Sequence, residues 1–107
     1  MGIHEVKHEE LVAILSNNED RCAIYIYTPW CGTCRYGEKM LNVVISIVPN
    51  LKLFKSNINY LPLVANSWKI ESVPCLVFLE AGHLTDKIYT MHSVEFLLAK
   101  VRQMMLR

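Results

Sequence analysis

What the chain lacks narrows its class first. No apolar stretch reaches the roughly 18 residues that a membrane-spanning helix needs. The most apolar segment, Met40 to Val48, is interrupted by Asn42 and Ser46 and closed by Pro49. Charge of one sign is not in excess: 11 Lys and Arg against 10 Asp and Glu leave a formal charge of +1. Neither a nucleic-acid footprint nor a polybasic membrane surface is expected. The opening MGIHEVKHEE carries acids where a secretory signal has bases, no long apolar region follows, and Val6 breaks the myristoylation pattern. A cytoplasmic location is the expectation. Repeats, low-complexity tracts and linkers are missing, so the 107 residues read as one domain spanning 1–107. Cys22 and Cys75 do not repeat the spacing of Cys31 and Cys34, and His4, His8, His83 and His92 show no ligand spacing, which argues against a structural zinc site. No metal is expected; a lone Cys-x-x-Cys sharing zinc or a cluster between two chains is the metal alternative.

What is present is apolar patterning of two periods. Ile3 to Val6 reads as a short strand. His8 to Asn17 reads as a helix, with Leu11, Val12, Ile14 and Leu15 at helical spacing. Asn17 to Asp20 reads as a polar turn. Cys22 to Tyr27 has no helical period and reads as a central strand buried on both faces. Cys31 to Val48 turns helical, with Leu41, Val44, Ile45 and Val48 on one face and Gly37 as a place to bend. Leu51 to Ile58 is the next strand, Leu61 to Trp68 a short helix, and Val73 to Glu80 a strand beginning with Val73-Pro74. Ala81, Gly82 and His83 turn into a strand over Leu84 to Thr90. Ser93 caps a last helix whose stripe is Val94, Leu97, Leu98, Val101 and Met105.

The chemistry concentrates in Tyr27-Thr28-Pro29-Trp30-Cys31-Gly32-Thr33-Cys34, which joins a buried strand to the start of a long helix. The unpaired N–H groups of a first helical turn, together with the helix dipole, stabilise a thiolate over a thiol. Cys31 stands there and is the expected nucleophile. Cys34, three residues on, is within bonding reach of it, and Gly32 has no Cβ to obstruct the approach. The Cys31 thiolate attacks a substrate disulfide, and Cys34 then attacks Cys31 and releases the reduced substrate. The proline of Val73-Pro74 is costly in an internal strand unless it does something specific, such as forming a cis bond.

Trp30-Cys31-Gly32-Thr33-Cys34, Val73-Pro74 and Glu80-Ala81-Gly82, in that order, resemble the thioredoxin family over essentially the whole chain. The resemblance implies an α/β, three-layer fold: a central mixed sheet with helices on both faces. It implies that Pro74 is a cis-proline packed beside the dithiol and that the Val73 backbone pairs with an extended stretch of substrate. Trp30 and Val73 would share a flat apolar docking surface, and Lys55 matches the family lysine at the end of the third strand. The implied partners are disulfide-bearing protein substrates and a flavin-dependent thioredoxin reductase; the implied state is a monomer without cofactor beyond the redox-active Cys31–Cys34 disulfide.

Three departures stand out. Thr33 replaces the proline between the cysteines, restoring an N–H and adding a hydroxyl. Lys39 replaces a helix proline, leaving Gly37 as the source of any bend. Tyr25 occupies the place of a buried aspartate that accepts the second cysteine's proton. A tyrosine, with an unperturbed pKa of about 10, does not do so near neutrality, so slow resolution is expected. Cys22 reads as a buried small hydrophobe. Cys75, beside Pro74, is either a third redox thiol or a core residue turned inward with Val77. Trp68 reads as core. Three functions compete: a general reductase of protein disulfides, a narrower enzyme serving one partner or a small thiol, and a non-catalytic binding module, against which the intact Cys-x-x-Cys argues.

Overall fold

The structure is a computed structural model and describes residues 2–16 and 21–106. The turn expected at 17–20 lies outside the described residues. In chain order the elements are β1 (His4–Glu5), α1 (His8–Ser16), β2 (Arg21–Tyr27), α2 (Gly32–Ile47), β3 (Leu53–Asn57), a 3₁₀ turn (Ile58–Tyr60), α3 (Pro62–Ser67), β4 (Cys75–Glu80), β5 (His83–Ile88) and α4 (Val94–Met105).

The strands form one sheet in the order β1-β3-β2-β4-β5. β3 runs parallel to β1 and β2, while β4 is antiparallel to both β2 and β5. The sheet is therefore mixed, and β2 lies at its centre. Alternation along β2 and β4 sends side chains to two cores. Ala23, Tyr25, Leu76 and Phe78 meet Leu41 and Val44 of α2 and Leu97 and Val101 of α4. Cys22, Ile24, Ile26, Cys75, Val77 and Leu79 meet Leu11 of α1 and, beyond it, Leu61 and Val64. Helices cover both faces, as the three-layer reading expects. Each fully buried Leu or Ile in these layers contributes about 1.5–3 kcal/mol relative to an exposed position.

Local chemistry explains the element ends. β4 begins at Cys75 rather than Val73, because Pro74 has no N–H to give to the ladder. Pro62 stands in the first turn of α3, where its missing donor costs nothing. The β4–β5 hairpin turns on two residues, Ala81 (φ 53°) and Gly82 (φ 79°), both left-handed as the favoured tight hairpin requires. β5 stops at Ile88, two residues before the expected end, which releases Tyr89 and Thr90 from the sheet. The Ser93 side chain accepts from Phe96 N–H at 3.1 Å and starts α4. In α4, Met104 rather than Met105 is buried, and in α1 Val12 faces solvent.

Candidate functional site

The dithiol sits where β2 gives way to α2. Beyond Tyr27 the chain leaves the ladder through Thr28 and Pro29, and Cys31, with extended backbone, is the N-cap of α2. Its sulfur accepts the Cys34 N–H at 3.1 Å, one of the donors that a first helical turn leaves unpaired. That bond and the positive end of a 16-residue helix both favour negative charge on the Cys31 sulfur. Thr33 Oγ1 lies 3.2 Å from the same sulfur. Cys34 is buried, with Cys31 less so. The two are paired as a disulfide, with Cα atoms 5.1 Å apart. Around Gly32 the space is open: even an added Cβ would meet nothing within 4 Å. The approach to Cys31 past Gly32 is therefore free of other protein atoms. Trp30, beside the nucleophile, is 91% exposed.

The Val73–Pro74 bond is cis. Pro74 and Thr33 line a groove of about 360 Å³ together with Tyr36 of α2 and Tyr89, Met91 and His92 of the β5–α4 connection. Sequence spacing does not reveal those last four residues as part of the site. They come from two segments far apart in the chain: Met91 packs in the core that α2 and α4 share, and Tyr89 against the opposite one. Val73 is half-buried and packs against the opposite core, and it is not among the residues that line this groove.

Tyr25 is fully buried behind the dithiol, and its hydroxyl donates to the Cys34 carbonyl at 2.8 Å. Burial, and then the Glu38 carboxylate, push its pKa far above the ordinary tyrosine value. Tyr25 is thus a permanent donor here and not a proton acceptor. A Cβ on Gly37 would collide with the Tyr25 hydroxyl and press on Met91. The glycine that looked like a bend in α2 is the place where the helix makes room for Tyr25. Lys55, paired with Tyr25 in the β2–β3 register, reaches up to Glu38 of α2 at 2.9 Å. Its ammonium also lies 5.7 Å from the centre of the Tyr27 ring. Glu38 is the charged residue that sequence reading missed; the signal available was its position one turn beyond Cys34.

Cys75 is fully buried and shares the α1/α3-side core with Val77, on the face of the sheet away from α2. Burial pushes its thiol up to about 11, so it remains protonated. The geometry favours its core alternative over a third redox thiol. Cys22 belongs to the same core, and Trp68 packs half-buried against it. Among the described residues no cluster of three or more His, Cys, Asp or Glu is arranged to hold a metal ion. No helix among them is long and apolar enough to cross a membrane.

The Thioredoxin family profile matches residues 2–103. The chain is 37% identical over 100 residues to the thioredoxin-like protein YusE of Bacillus subtilis, covering 94% of this chain and 87% of that one. It is 36% identical to a thioredoxin H-type of Ricinus communis, over 55% of this chain and half of that protein. The crystal structure of oxidised mitochondrial thioredoxin 3 from Saccharomyces cerevisiae superposes with a TM-score of 0.79 at 22% identity, covering 94% of both chains. That of chloroplastic thioredoxin z superposes with a TM-score of 0.82 at 15% identity, over 100% and 97% of the two chains. These structures share the fold. With a Cys-x-x-Cys pair at disulfide distance on the N-terminus of α2 and a family match over nearly its whole length, this chain belongs to the thioredoxin family.

Proposed function

We propose that this protein is a thiol–disulfide oxidoreductase that reduces disulfides in protein substrates, with Cys31 as nucleophile and Cys34 as resolving thiol. The observation that carries the reading is the Cys34 N–H donated to the Cys31 sulfur at the start of α2. It stabilises the thiolate on the more accessible of the two cysteines and leaves the buried one to resolve. In the reductive cycle the Cys31 thiolate attacks one sulfur of the substrate disulfide and expels the other as a thiolate. Cys34 then attacks Cys31, closing the disulfide seen here and expelling the second substrate thiolate. Two electrons pass from the dithiol to the substrate. Trp30 and the Val73–Pro74 edge dock the substrate chain, with Val73 backbone groups pairing as a short added strand. A flavin-dependent reductase returns the electrons. The protein works as a monomer, in the cytoplasm, with no cofactor but its own disulfide.

A narrower substrate range is the second reading. The bulk of Tyr36, Tyr89, Met91 and His92 around the groove favours it, since each restricts which side chains fit beside Pro74. A reductase-coupled insulin reduction assay tests both. Turnover that is lost in Cys31→Ser, together with a trapped mixed disulfide in Cys34→Ser, supports the general reading. Turnover with one donor or substrate alone supports the narrow one. Limited alkylation that labels Cys34 before Cys31 reverses the roles.

A further inference from the structure

The resolving step requires Cys34 to lose its proton inside the protein. Cys34 is 2% exposed, and the hydroxyl nearest its backbone, that of Tyr25, donates rather than accepts. β2 brings no carboxylate to this place. α2 does. Glu38 is four residues after Cys34, so the two share a helix face with Cβ atoms about 5–6 Å apart. The Glu38 carboxylate is held by the Lys55 ammonium at 2.9 Å, with both side chains partly buried. This placement ties three elements together: Lys55 is in register with Tyr25, and Tyr25 is bonded to Cys34. On its outer side Glu38 lines an opening of about 210 Å³ with Arg35, Lys39 and Asn42, through which a proton can pass to solvent.

We propose that Glu38, oriented by Lys55, is the proton acceptor for Cys34 in the resolving step. This rests on the thiol–disulfide exchange proposed above. With Cys31 in a mixed disulfide, the Cys34 proton passes to the Glu38 carboxylate. The Cys34 thiolate attacks the Cys31 sulfur, the Cys31–substrate bond breaks, and the substrate sulfur leaves as a thiolate. Glu38 then gives its proton to that thiolate or to solvent. The other charged or titratable groups that face Glu38 come from every element packed around it. Lys55 comes from β3, Arg35 and Lys39 from α2, and Tyr25 and Tyr27 from β2, the last bonded to Glu5 of β1. The positive groups are the immediate pair and the rim, and both tyrosines are held in their neutral form.

A nitroaryl disulfide mixed with the reduced protein separates the two steps. The first aryl thiolate reports attack by Cys31, the second attack by Cys34. In Glu38→Gln the first phase is expected to match wild type. The second is expected to be about a hundredfold slower at pH 7, the lower end of the range for loss of a positioned base. The deficit is expected to shrink as pH rises, because hydroxide then removes the Cys34 proton without a positioned base. Glu38→Asp, which keeps the carboxylate, is expected to recover part of the rate. A second phase unchanged at pH 7, or slowed by one constant factor at every pH, overturns the assignment while leaving the exchange reaction intact. A wild-type protein that shows no second phase at any pH overturns the proposed function and this assignment with it.

Discussion

Gly37→Ala is the substitution that tests most directly how the core behind the dithiol is built. In an ordinary helix interior the change is stabilising by about 1 kcal/mol, because alanine has the higher helix propensity. Here the new Cβ collides with the Tyr25 hydroxyl. Relieving the collision pushes Tyr25 off the Cys34 carbonyl, a buried hydrogen bond of 2.8 Å whose loss costs about 1 kcal/mol. Overpacking adds about 1–3 kcal/mol. The net expectation is a destabilisation of about 2 kcal/mol, which for a domain of this size lowers Tm by about 10 °C. The partner variant makes the reasoning specific. In a Tyr25→Phe background the colliding oxygen is gone, and the remaining contacts of the new Cβ are the ring carbon at 3.2 Å and the flexible Met91 side chain at 3.1 Å. There the alanine is expected to be close to neutral, so the double-mutant cycle should show a coupling of about 2 kcal/mol. Urea unfolding of the four proteins in the same redox state measures it. A Gly37→Ala variant as stable as wild type, or an equal penalty in both backgrounds, refutes the account.

Two further outcomes follow from the site. Thr33→Val removes the hydroxyl 3.2 Å from the Cys31 sulfur; that hydroxyl stabilises the thiolate of the reduced form, so its loss is expected to lower the reduction potential by about 30 mV, equivalent to 1.4 kcal/mol. Equilibration with glutathione, read by Trp30 fluorescence, checks this, and an unchanged or higher potential argues against the role of the hydroxyl. Cys75, raised by burial from 9.0 to about 11, keeps its proton in the folded state when the unfolded chain has lost it. Its contribution to stability is therefore full below about pH 9 and declines as pH rises toward 11. Iodoacetamide at pH 8 is expected to label Cys31 of the folded reduced protein and to reach Cys75 after unfolding; fast labelling of native Cys75 contradicts its burial.

Much of this protein is written locally in its sequence. The run Cys22 to Tyr27, apolar on both faces, determined a central strand, and Thr28-Pro29 determined its end. The helical period after Cys31 placed the dithiol on a helix N-terminus, where backbone donors do the chemistry whatever surrounds them. Pro74 marked the neighbourhood of the β4 start, which the sequence pattern put at Val73 and the missing N–H moved to Cys75. These signals repeat at two or 3.6 residues and need no partner to be recognised.

What the tertiary structure alone decided involves residues far apart in the chain. The parallel β2–β3 register put Lys55 beside Tyr25, and the packing of α2 on that face brought Glu38 down onto Lys55 across 17 residues. The same packing turned Gly37 from an apparent bend into the gap that admits a tyrosine hydroxyl. Strand alternation sent Cys75 to the face away from α2, which adjacency to Pro74 does not reveal. Tyr36 of α2 came to line one groove with Tyr89, Met91 and His92 of the β5–α4 connection. Each of these outcomes depends on which strand neighbours which, and in what register. That choice is made by the summed burial of two cores, and no single segment encodes it.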